Sequence, residues 1–124
     1  MKQEDYLETI FDLEEGKKSI RVSDIAKLLK LKKPSVTQMM QRLKKEGCVI
    51  YDPYNPIKLT AKGKKIGKNV AERHKVLAEF FTLLKIDKKT QEKDIHGIEH
   101  SLSAKTLRKL KELTTYLKKS KFIA

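Results

Sequence analysis

The chain is patterned at a helical period almost throughout, and it changes period once. After Gly47, Cys48-Val49-Ile50-Tyr51 is a short β-rich run, Asp52-Pro53-Tyr54-Asn55-Pro56 is dense in turn residues, and Ile57-Lys58-Leu59-Thr60 reads as a return strand. Two short helices precede this hairpin. The first runs from Ser23, a natural N-cap, through Ile25, Ala26, Leu28 and Leu29. A brief turn at Leu31-Lys32-Lys33 leads to a second, with Pro34 in its first turn and Gly47 as its stop. Two short helices with a tight connection form a helix-turn-helix. A β-hairpin directly behind the second helix makes the module a winged helix.

The flanking segments are helical. Residues 3–15 carry Tyr6, Leu7, Ile10, Phe11 and Leu13 on one face and Asp5, Glu8 and Asp12 on the other, and Gly16-Lys17-Lys18 ends the helix. A long helix runs from about residue 60 to 85, lined by Ile66, Val70, Leu77, Phe81 and Leu84. Ile86-Asp87 breaks it. A fifth helix is expected over 88–102 and a sixth over 104–118 with Ser103 as N-cap, and the tail 119–124 is expected to fray. At 124 residues the chain is one ordinary domain or a small domain with a helical annex. The expected fold is mainly α: a winged helix-turn-helix with a small hairpin wing over 1–62, then a helical region over 63–124.

Lys and Arg outnumber Asp and Glu by 29 to 16, a net charge of +13. Such a surplus attracts a polyanion, and double-stranded DNA is the first candidate. The second helix of a helix-turn-helix lies in the major groove with its N-terminal residues facing base edges. Here those are Pro34, Ser35, Thr37, Gln38, Gln41 and Arg42. Gln pairs bidentately with adenine and Arg with guanine. Lys32 and Lys33, with Lys44, Lys45, Lys58, Lys62, Lys64 and Lys65, suit phosphate contacts. The bland alternative is a solvated basic face, but these lysines crowd around the reading helix and the wing. Tyr51 and Tyr54 fit either backbone contact or packing.

Other classes are disfavoured. No apolar run reaches the roughly 18–20 residues that span a bilayer. No basic tail with aromatic anchors suggests a membrane surface. The polar, acidic N-terminus is not a secretory signal, and the lone Cys48 fits a reducing cytoplasm. With no nucleophile–base constellation or Gly-rich phosphate loop, the expectation is no enzyme and no small-molecule substrate.

All three histidines point elsewhere. In His96-Gly97-Ile98-Glu99-His100, a helix places His96, Glu99 and His100 on one face, with Glu92 a turn earlier. Two imidazoles and a carboxylate suit a borderline divalent metal. His74 sits at the edge of the apolar face of the long helix, so a site between these two helices is reasonable, and Asp5 and Glu8 would close it if helix one packs alongside. The run also matches the H-x-x-E-H pattern of one zinc-protease class. That chemistry needs a third ligand and a substrate cleft, and only 24 residues follow His100, with Glu112 their sole acid.

The stretches Arg21-Val22-Ser23-Asp24-Ile25-Ala26, Pro34-Ser35-Val36-Thr37, Leu59-Thr60-Ala61-Lys62-Gly63, Glu72-Arg73-His74 and Gly97-Ile98-Glu99-His100-Ser101-Leu102-Ser103, in this order, resemble the DtxR/MntR family of metal-dependent repressors. The resemblance covers nearly the whole chain. It implies a cytoplasmic homodimer that binds operator DNA when loaded with Mn²⁺ or Fe²⁺ and represses metal-uptake genes. Its manganese branch implies ligands at Asp5, Glu8, His74, His96, Glu99 and His100. Position 96 departs: it is Glu in the manganese branch and Cys in the iron branch, but His here. Imidazole is softer than carboxylate and favours Fe²⁺, Co²⁺ or Zn²⁺, whereas Asp5 is the manganese-branch residue. Helices five and six are expected to supply most of the dimer contact. The alternative is a metal-independent winged-helix regulator.

Overall fold

The computed structural model describes residues 3–16 and 19–120. Its elements are α1 (Gln3–Gly16), α2 (Val22–Leu29), α3 (Lys33–Lys45), β1 (Val49–Asp52), β2 (Asn55–Leu59), α4 (Ala61–Leu83), α5 (Lys88–Ile98) and α6 (Ala104–Lys119). They group into two compact units, Met1–Ala71 and Glu72–Ala124, divided within α4. The expected chain stop at Lys17-Lys18 and the last four tail residues lie outside the described residues.

The first unit is a winged helix. Tyr6, Leu7 and Ile10 of α1, Ile25 and Ala26 of α2, and Val36, Met40 and Leu43 of α3 bury into one core with Val49, Tyr51, Ile57 and Leu59 of the wing. Spacings of three and four in α1 and α3, and of two in the strands, explain which residues point inward. Along β1 the burial alternates strictly.

Several boundaries move from the sequence expectation. Ser23 does not cap α2. The cap position lies two residues earlier, at Arg21, with the Asp24 carboxylate accepting the Arg21 N–H at 2.8 Å. Asp24 thus takes the capping role from within the first turn. The hairpin turn is also tighter than the five turn-prone residues suggest. Asp52 pairs with Asn55, leaving only Pro53-Tyr54 in the loop, and the Asp52 carboxylate accepts the Tyr54 N–H at 2.9 Å. Tyr51 packs in the core, whereas Tyr54 at the wing tip is 87% exposed.

Two junctions hold the wing. Gly47 follows α3 at φ +78°, a conformation that suits glycine. Thr60 then joins hairpin to helix: its Oγ1 accepts the Gly63 N–H at 3.1 Å and donates to the Gly47 carbonyl at 2.6 Å. A Cβ at position 63 would collide with the Cys48 carbonyl, so α4 passes the wing at backbone contact.

The second unit holds the rest of α4 with α5 and α6. Asp87 caps α5, its carboxylate accepting the Thr90 N–H at 2.9 Å. Ser103 caps α6 as expected, accepting the Thr106 N–H at 3.1 Å. Val76, Leu77 and Ile95 are buried here, and Glu79 meets Lys118 at 3.7 Å. The fifth helix is shorter than its periodicity predicts. It stops at Ile98 rather than Leu102, with consequences for the expected metal ligands. No helix among the described residues is long and apolar enough to cross a membrane.

Candidate nucleic-acid interface and metal centre

On α3, Val36, Met40 and Leu43 are buried, which turns the other side of the helix outward. Lys32, Lys33, Pro34, Ser35, Gln38, Gln41 and Arg42 are all exposed, and Thr37 is half-buried. The expected reading face is therefore open along its length. A groove of about 300 Å³ adjoins it, lined among others by Arg21, Ser23, Lys33, Thr37 and Asn55. It lies where the starts of α2 and α3 meet the wing. Arg21 and Lys33 outnumber the one carboxylate of its lining, Asp52, and with the hydroxyl and amide groups they suit an anionic backbone. Arg21 was not foreseen as part of this surface. Its signal was the charge immediately before an apolar helix start.

In the second unit, the expected single stripe on α5 does not form as a helix face. Glu99 is the C-cap, and His100 lies in the turn beyond. A side chain from α4 meets this turn. Arg73 Nη1 donates to the Glu99 carbonyl at 3.0 Å and to the Leu102 carbonyl. Both carbonyls would lack intrahelical partners even in a helix ending at Leu102, so Arg73 satisfies acceptors that the chain leaves open as it turns towards α6.

The turn brings three expected ligands together. Glu99 is 2% exposed. Its Oε2 lies 3.3 Å from His74 Nδ1 and its Oε1 lies 3.4 Å from His100 Nε2. Despite that approach, Oε2 has no hydrogen-bond partner among the described residues. A buried carboxylate oxygen without a donor is costly. Two imidazole nitrogens and that oxygen are the donor types of a borderline divalent cation, so the residues fit a metal. His96 is exposed on α5, its ring 6.5 Å from that of His100 and edge-on to it. Glu92, expected on the same stripe, is exposed and belongs to no group of ligand atoms close enough to share an ion, among the described residues.

On α1, Asp5 departs from its expected polar face and is only 4% exposed, Glu8 is half-buried, and Asp12 is exposed. A helical wheel divides a helix into two faces, whereas this helix buries a wider arc that takes in Asp5.

Residues 1–57 match the family described as iron dependent repressor, N-terminal DNA binding domain. Residues 60–122 match its metal binding and dimerisation domain. The chain belongs to the iron dependent repressor family. It is thus a metal-dependent transcriptional regulator that binds operator DNA and assembles as a homodimer, with a divalent metal as cofactor. It is 42% identical over 113 residues to the HTH-type transcriptional regulator MntR of Bacillus subtilis (strain 168), covering 91% of this chain and 80% of that protein. It is 41% identical over 117 residues to MntR of Shouchella clausii (strain KSM-K16), covering 94% and 82%. Among solved structures it resembles the manganese regulator SloR with a TM-score of 0.79 and 25% identity, over 92% of this chain and 54% of that one. It resembles ScaR with bound Zn²⁺ with a TM-score of 0.74 and 28% identity, over 94% and 55%. The chain spans about half the length of these solved structures.

Proposed function

We propose that this family member is a cytoplasmic, non-enzymatic repressor of metal-uptake genes, switched by Mn²⁺ or Fe²⁺ through His74, His96, Glu99 and His100 with Asp5 and Glu8. The observation that carries this reading is the buried Glu99 carboxylate, faced by two imidazoles and with one oxygen that makes no hydrogen bond among the described residues. Residues 1–62 read DNA and 63–124 bind metal and dimerise, although 63–71 pack with the first unit. Pro34, Ser35, Thr37, Gln38, Gln41 and Arg42 face base edges, and Lys32 and Lys33 hold phosphates. The exposed Leu84, Ile98, Leu113 and Tyr116 supply apolar surface for the second copy.

When bound, the ion supplies the positive charge that clustered carboxylates need in order to sit together. The ion shifts the population towards a DNA-competent state by no more than the difference in its affinity for the two states. The imidazole of His96, in place of a carboxylate, moves selectivity towards Fe²⁺, Co²⁺ or Zn²⁺, while the hard carboxylate of Asp5 keeps Mn²⁺ in reach.

The test is anaerobic titration of metal-stripped protein with Mn²⁺, Fe²⁺ and Zn²⁺ beside Glu99→Ala, with binding to a selected duplex followed in parallel. Saturable binding that raises DNA affinity, both lost in Glu99→Ala, is expected. DNA affinity indifferent to metal would favour the metal-independent regulator instead.

A further inference from the structure

The residue that shapes the Glu99 turn carries no ligand atom itself. We propose that Arg73 is a positioning residue for the metal centre, an inference that rests on the metal-site reading above. Consecutive residues of α4 grip Glu99 from two sides. His74 faces its carboxylate at 3.3 Å, and Arg73 holds its backbone carbonyl at 3.0 Å. The same guanidinium nitrogen reaches the Leu102 carbonyl, three residues on. One charged group thus clamps both ends of the turn that contains His100.

The sequence of this turn does not break a helix by itself. Residues 99–102 are Glu-His-Ser-Leu, with neither Pro nor Gly, and the apolar spacing of Ile95, Ile98 and Leu102 continues a helix. Inside α5, Glu99 and His100 would be carried along its axis on a fixed stripe. In the structure, Glu99 sends its N–H four residues back to the Ile95 carbonyl at 2.9 Å, and Ser101 closes a tighter, three-residue bond to Ile98 at 2.9 Å. His100 Nε2 then comes to 3.4 Å from Glu99 Oε1. Arg73 thus holds the turn in which Glu99 and His100 meet.

Arginine suits this role. Its rigid planar fork presents several donors, stays charged, and can satisfy two acceptors at once. Lysine offers a single ammonium on a flexible stem and holds a two-carbonyl clamp less well. A group that orients a metal ligand typically controls affinity by roughly 10- to 100-fold.

The test uses Co²⁺ alone as the probe, titrated anaerobically into metal-stripped full-length wild type, Arg73→Gln and Arg73→Lys. The visible ligand-field band, which reports coordination geometry, is recorded together with affinity, far-UV circular dichroism and the metal-free melting temperature. Gln91→Ala is the stability control. Gln91 is buried in the same unit and donates to the Ile86 carbonyl at 2.7 Å, at the opposite end of α5 from Glu99. Arg73→Gln is expected to lose roughly 10- to 100-fold in Co²⁺ affinity and to change the band, with Arg73→Lys in between. Gln91→Ala should lower the melting temperature and leave the band unchanged. If Arg73→Gln fails to fold, Arg73→Lys decides. Wild-type affinity and band in the folded variants, or a band equally altered in Gln91→Ala, would overturn the proposal. A wild type that takes up no Co²⁺ would instead overturn the metal-site reading on which it stands.

Discussion

Helices α3 and α5 are of similar length, at 13 and 11 residues, and each presents a functional group, yet they are held in place differently. α3 buries Val36, Met40 and Leu43 along one side and shows Ser35, Gln38, Gln41 and Arg42 on the other. Its end closes on itself: the Gly47 N–H returns to the Lys44 carbonyl at 3.0 Å, and the Cys48 N–H to the Leu43 carbonyl at 2.8 Å. α5 buries only Gln91 and Ile95. Its functional residues lie at its last turn and beyond, and that end is closed by Arg73 from another helix. A function carried on the exposed side of a well-anchored helix inherits its geometry from the helix. A function carried at a helix end inherits it from whatever meets that end.

The sharpest way to break this contrast is to remove the anchor of α3. Met40 is fully buried, so Met40→Ala should cost roughly 2–5 kcal/mol of unfolding free energy. Urea denaturation measures this, and a loss below about 1 kcal/mol would mean that α3 does not rely on its core stripe. Arg42→Ala probes the opposite face and should leave stability unchanged, because Arg42 is exposed. It should lower discrimination between operator and mismatched duplex by about 1–3 kcal/mol, read by competition binding. An unchanged sequence profile would remove Arg42 from base reading.

The smallest effect concerns the start of α5. Thr90 hydrogen bonds hold the Asp87 carboxyl below its ordinary value of 3.8. A carboxyl depressed in the folded state adds stability above its unfolded pKa, and that stability is lost as pH falls through the folded value. The wild type should therefore lose slightly more stability than Asp87→Asn on acidification from pH 5 towards pH 3. Asparagine also caps well, so the two should be close at neutral pH. Identical pH profiles would show that the cap charge contributes nothing to α5.

The winged helix was legible because its signals are local. The apolar spacings of α1 and α3, Pro34 in a first turn, Gly47 at a stop and the turn residues at 52–56 act within a few residues of themselves. The errors there are small and equally local, with Asp24 capping α2 in place of Ser23 and a two-residue loop inside the turn cluster. The candidate metal centre was legible in its residue types alone. Helical spacing selected His96, Glu99 and His100, but it also drew in Glu92, which stays exposed, and it placed Asp5 on a polar face although Asp5 is buried.

By itself, then, the amino-acid order determined which segments are helical, which faces are apolar, and which residues are candidates for reading DNA and for holding a metal. Only the tertiary structure decided where α5 ends and how Glu99 meets its imidazoles. The carbonyls of Glu99 and Leu102, which the chain leaves open at this turn, are taken by Arg73. That contact comes from a guanidinium 26 residues away in the chain, at a separation that no local pattern encodes.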